Sequence, residues 1–222
     1  MTSSPRRRAK YFPLLISILI LALIVPLFEG TSYGTVVIDI VSTAILVSAV
    51  WAASGKKRDL AILITLAVLV DALRLLPIKD ISGIVFCSAI AGALFFGYST
   101  AIILQDLLGA TDIRPDTLAG TVCGYLMLAM TWGSMYFVVC LLRNDAFNLP
   151  AGLNYIQVQK NFLKLIYFSG TTLTTVAYGD ITPKIPLTQN MAAIEAMTGQ
   201  FYIALLVARL VSMQIVQRQR AD

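Results

Sequence analysis

Residues 167–183 read YFSGTTLTTVAYGDITP. The hydroxyls of Thr171, Thr172, Thr174 and Thr175 crowd the end of an apolar stretch, 158–174. They run straight into Val176, Ala177, Tyr178, Gly179 and Asp180. The stretch is shorter than the roughly 20 apolar residues that a membrane crossing needs. It is therefore predicted to enter a bilayer as a re-entrant helix and turn back. Polar, irregular backbone at membrane depth is tolerated only where it is buried in protein or lines a water-filled path. A row of backbone carbonyls aimed at such a path can replace the hydration shell of an ion. The neighbouring sequence must supply the protein that encloses it.

It does so with apolar runs on both sides. Of 222 residues, 58% are hydrophobic and 13% charged, about half the charge fraction of a soluble domain. Six stretches are long and apolar enough to be predicted as spans: 11–28, 35–53, 60–77, 83–105, 117–142 and 189–216. The fold class expected is an all-α membrane protein with six transmembrane helices, a re-entrant helix and an ion-coordinating loop. Net charge is +5, but the basic residues stand at segment ends. That pattern reads as membrane topology, and a nucleic-acid surface is not expected. Histidine is absent, so the commonest general base and metal ligand are missing. No enzyme site and no organic cofactor are expected. Cys87, Cys123 and Cys140 lie scattered inside apolar runs and read as structural cysteines.

Charge places the ends. Arg6, Arg7, Arg8 and Lys10 precede the first run, Lys56, Lys57 and Arg58 lie between the second and third, and Arg218 and Arg220 follow the last. Basic residues in short loops mark the cytoplasmic side, and six crossings put all three groups there. The first run is read as a retained signal anchor, because no small-residue cleavage site closes it. The chain thus divides into a cytoplasmic tail (1–10), a four-helix membrane domain (11–105), a polar linker (106–116), a pore domain (117–216) and a second cytoplasmic tail (217–222). A bacterial inner membrane is the expected location, with the lipid bilayer as surroundings and no soluble partner evident.

The stretch TTVAYGD at 174–180 resembles the signature TTVGYGD of bacterial potassium channels. Tyr167, Phe168 and Ser169 before it, and ITP after it, stand at that family's spacing. GTVCGYLMLAMTWGSMYFVV in span five and EAMTGQFYIALLVARLV in span six are similar to a bacterial ion-channel group, and Gly199 falls where those channels place a hinge glycine. The likeness covers about 117–216; the first four spans match it only in number and order. It implies potassium ions bound at the carbonyls of Thr175, Val176, Ala177 and Tyr178, with the Thr175 hydroxyl adding the innermost ligands. Gly179 would permit left-handed backbone. Asp180 would cap the outer mouth with Tyr167 behind it, and Thr171 and Thr174 would support the filter. Thr171 replaces a glutamate found in some relatives, so no carboxyl pair with Asp180 forms. One filter per chain implies a homotetramer, since a central pore needs several such loops around one axis. The expected function is passive, selective conduction of potassium. Ala177, in place of the family's glycine, keeps open a non-conducting or weakly selective membrane subunit.

Weaker signals concern gating. Span four carries no Lys or Arg, whereas a voltage sensor needs several arginines that move through the field. Asp39, Asp71 and Arg74 are ionisable groups in apolar segments; Asp71 and Arg74 can pair on one helix face, as a structural pair or a residual charge site. Glu195, one turn before Gly199, is an intramembrane carboxylate, read either as a partner for the base of the pore helix or as a proton sensor. Gly199 is a hinge or a close-packing site. Ile203, Val207 and Val211 share one face of the last span, as a cavity wall and dewetting gate or as plain packing.

Overall fold

The computed structural model describes residues 10–28, 33–53, 55–75, 82–110, 114–148 and 158–219. Helix α1 (Phe12–Leu23) leads into a 3-10 turn (Val25–Phe28). There follow α2 (Gly34–Ala52), α3 (Lys57–Leu75), α4 (Ser82–Gly109), α5 (Pro115–Leu142), β1 (Phe147–Asn148), α6 (Val158–Leu173), β2 (Thr182–Pro183) and α7 (Pro186–Gln219). Prolines open α5 and α7, where the missing N–H is one that a first helical turn leaves unbonded in any case. Asp116 in the first turn of α5 sits at the positive end of that helix.

Among the described residues, three helices are long and apolar enough to cross a membrane: Gly83–Gly109, Pro115–Leu142 and Pro186–Arg209. The first three predicted spans form shorter or more polar helices. The 12 residues of α1 rise only about 18 Å, against the roughly 30 Å of a hydrocarbon core. Helix α3 begins with Lys57, Arg58 and Asp59 and carries Asp71 near its end. The polar break expected over 106–116 is narrower than the sequence reading. Helix α4 runs on through Asp106 to Gly109, because Gln105 and Asp106 are polar without being helix breakers. Gly109 and Pro115 set the real limits.

Helix α5 is the hub. It packs chiefly on α4 and α6, and also on α1 and α7. One core joins α1 to α5 through Leu14, Ile45, Leu63, Phe95, Ile103 and Met127, all buried. The second core lies against α6. Here the rings of Tyr136, Phe147 and Phe168 meet edge to face at 5.1–5.4 Å, the favourable arrangement for aromatic pairs. Gly133 of α5 lets α6 approach closely: a methyl group there would come within 2.9 Å of the Ile166 Cα. Small residues at helix crossings do this commonly in membranes.

The two short strands pair antiparallel, Phe147 with Pro183 and Asn148 with Thr182. They fasten the loop after α5 to the chain that follows residues 174–180. The Lys184 N–H and the Thr188 hydroxyl both donate to the Ala146 carbonyl, each at 2.9 Å. The side chain of Arg74 lies outside the described residues, and with it the Asp71–Arg74 pair. Asp71 accepts from the Thr43 hydroxyl of α2 at 3.2 Å.

Candidate functional site

The site begins where α6 ends. A helix leaves its last four carbonyls without intrahelical partners, and all four are satisfied here. The N–H of Thr174 donates to Gly170, that of Ala177 to Thr171 at 3.1 Å, and that of Thr175 to Thr172 at 2.9 Å. The Tyr125 hydroxyl of α5 donates to Leu173 at 3.0 Å. The chain therefore folds back tightly under its own helix end, and the Thr174 hydroxyl also donates to Gly170 at 2.7 Å.

Beyond this turn the bonding pattern reverses. Among the described residues, the carbonyls of Thr175, Val176, Ala177 and Tyr178 receive no hydrogen bond. Buried backbone carbonyls are almost always paired, yet residues 174–180 are all exposed in the single chain. Their backbone is also special. Thr175 (φ 60°), Ala177 (φ 44°) and Gly179 (φ 81°) lie in the left-handed region, while Val176 and Tyr178 between them do not. In an extended strand successive carbonyls point to opposite sides. Alternating the sign of φ turns them toward one side and forms a row of carbonyl oxygens. For Gly179 the conformation costs little. For an alanine, and still more for a β-branched threonine, it is strained.

The outer limb is anchored. Ile181 is buried, Thr182 accepts from the Asn148 side chain at 3.1 Å, and Tyr167 lies beside Asp180. On the neighbouring loop, a 3.2 Å hydrogen bond from Arg143 holds the Asp145 carboxyl below its ordinary pKa.

Helix α7 closes the site from below. It runs unbroken past Gly199, which packs on the Leu173 carbonyl at the end of α6. Ile203, Val207 and Val211 are exposed on one face, at 44%, 54% and 51%. Glu195, read as a partner for the pore helix or as a proton sensor, does not lie with them. It is fully buried, facing α5 and α6, where it meets Tyr136 and Ser169. One turn of helix separates it from Gly199, but i and i+4 side chains share the packed face rather than the open one.

Three contributors escape the sequence reading. Tyr125 caps the end of α6, Gln200 donates to the Thr175 hydroxyl at 3.4 Å, and the Tyr202 hydroxyl donates to the Thr121 carbonyl of α5 at 2.6 Å. Gln200 had a usable signal, since it directly follows the glycine that packs on the helix end. For Tyr125 and Tyr202, only tertiary contact reveals the role.

A family model described as ion channel matches residues 117–215, just under half of the chain, from the start of α5 almost to the end of α7. The match supports an ion-channel domain over these residues, and with the apolar helices it supports an integral membrane protein. No curated protein and no solved structure gives a significant match to the chain.

Proposed function

We propose that this chain is one subunit of a homotetrameric potassium channel, with four copies of the 174–180 loop lining one axial path. The observation that carries the reading is the row of carbonyls from Thr175 to Tyr178, on exposed residues of alternating φ, that receive no hydrogen bond among the described residues. Coverage of the helices supports the assembly. The apolar window of α7 is 11% buried within the chain, against 44% for those of α4 and α5. An inner helix so bare calls for other copies of itself. In this reading potassium ions occupy the carbonyl rings, the chain is a six-span bacterial subunit with both termini in the cytoplasm, and the face of Ile203, Val207 and Val211 lines the inner cavity. The protein passes ions down their gradient without covalent chemistry.

The test is flux from liposomes holding the purified full-length protein. Potassium efflux far exceeding sodium efflux, and blocked by barium, is the expected result. Equal fluxes would make it a weakly selective cation channel. Absence of both would make it a non-conducting subunit, a reading that the strained Ala177 favours.

Conduction is expected to depend little on voltage. One elementary charge crossing the field contributes about 2.3 kcal/mol per 100 mV, and α4, Ser82–Gly109, carries no Lys or Arg to move. Planar-bilayer recordings should give a conductance–voltage relation nearly flat apart from ion-driven effects. A relation as steep as several charges per tetramer would contradict this expectation.

A further inference from the structure

Three buried groups meet where α5, α6 and α7 converge. Tyr136 donates to Glu195 Oε2 at 2.6 Å, Ser169 Oγ contacts Glu195 Oε1, and Ser169 Oγ also contacts the Ala129 carbonyl at 2.7 Å. Ser169, Tyr136 and Glu195 are each wholly shielded from solvent. Among the described residues no Lys or Arg pairs with Glu195. Its titratable neighbours are Tyr136 and, farther off, Tyr125, both on α5; α6 contributes Ser169.

The protons can be counted. A carbonyl oxygen only accepts, so the contact with Ala129 uses the single proton of Ser169. The contact between Ser169 Oγ and Glu195 Oε1 then needs a proton from the carboxyl. Tyr136 supplies the third. Three contacts and three protons match if Glu195 is a carboxylic acid. If it is ionised, one contact becomes two facing lone pairs in a dry interior, beside a buried charge with no counter-ion, which is heavily disfavoured.

We infer that Glu195 is held as a neutral carboxylic acid that donates to Ser169 and accepts from Tyr136, clamping the filter-bearing helix α6 between α5 and α7. It is a positioning residue: it touches no ion and acts through Ser169, which lies five residues before Thr174 on the helix that leads into the filter. Its effect on conduction rests on the channel reading above; its protonation does not. The clamp explains why a polar cluster occupies the junction of three apolar helices. Glutamine, with a donor and an acceptor on one planar group, reproduces both contacts, whereas alanine strands Ser169 and Tyr136.

The test has two arms on the full-length protein in lipid. Infrared difference spectra between the parent and Glu195→Gln at neutral pH should show a protonated-carboxyl C=O band in the parent, missing from the variant. Absence of that band from the parent overturns the inference. In liposomes, Glu195→Gln should keep potassium flux near the parent's, while Glu195→Ala loses roughly tenfold or more. Equal losses in both variants would mean that a charge is needed and would also overturn it. If the parent itself passes no potassium, the channel reading fails, and the infrared arm still decides the proton.

Discussion

Ala177→Gly is expected to raise open probability and steady current while leaving potassium selectivity intact. Ala177 sits at φ 44°, in a region where its methyl group crowds the backbone. The cost for an L-residue is about 1–2 kcal/mol. In a tetramer four such residues share one ring, giving about 4–8 kcal/mol if nothing relieves them. That energy falls on any filter shape that keeps the Ala177 carbonyl aimed at the axis. A pinched or twisted shape, with Ala177 at an ordinary negative φ, escapes it. The hydrogen bond from the Ala177 N–H to Thr171 holds the strained form in place, and strain of this kind persists where the surroundings over-determine it. Glycine removes the cost with the same hydrogen bond retained. If only about 1.4 kcal/mol of it separates conducting from non-conducting filters, their ratio moves about tenfold. Single-channel recording of both forms measures it. Equal or lower activity in the glycine form would show that the methyl group is accommodated, or is needed.

The strain at 177 was legible in the sequence because glycine-specific backbone leaves a sequence trace. A motif that calls for glycine and carries alanine announces its own cost. The strain at Thr175 was not, since threonine is expected there on account of its hydroxyl, and only the φ of 60° reveals the second burden. The short helix α6 between two helices of membrane-crossing length was legible for a related reason. A hydroxyl-rich run between two apolar ones has few physical solutions in a bilayer. The setting of Glu195 was harder to read. A carboxylate in an apolar helix can face an aqueous cavity or a polar cluster in the packing, and sequence spacing alone does not say which face of α7 is covered. Likewise β1 and β2 pair only two residues each, too few to leave an alternating pattern. The ends of α4 depended on distinguishing polarity from helix breaking: Asp106 stays helical and binds the Tyr11 hydroxyl and the Lys10 ammonium of the first segment, so a charge that looked like a linker is a tie between helices.

Gly199→Ala is expected to abolish potassium flux and to lower the thermal stability of the proposed tetramer. The position matches a hinge glycine by resemblance, yet α7 passes through it as continuous helix. A methyl group on Gly199 would overlap the Leu173 carbonyl oxygen, lie 2.9 Å from the carbonyl carbon and 3.1 Å from the Leu173 Cγ. These neighbours cannot rotate aside. The carbonyl is backbone and accepts the Tyr125 hydroxyl, and the Leu173 side chain is fully buried. Either α7 moves outward or the end of α6 moves, and the second course drags Thr175 two residues further on. Overpacking of this kind costs about 1–3 kcal/mol per site, and in the proposed tetramer it would recur in each copy. A pure hinge predicts the reverse for stability. Alanine favours a mid-helix position over glycine by up to about 1 kcal/mol, so a tetramer limited only by hinge flexibility should become more stable and merely open less often. Heating the two tetramers side by side, with single-channel recording of each, separates the accounts. A variant that assembles as firmly as the parent and differs only in opening would make Gly199 a hinge, and its contact with Leu173 incidental.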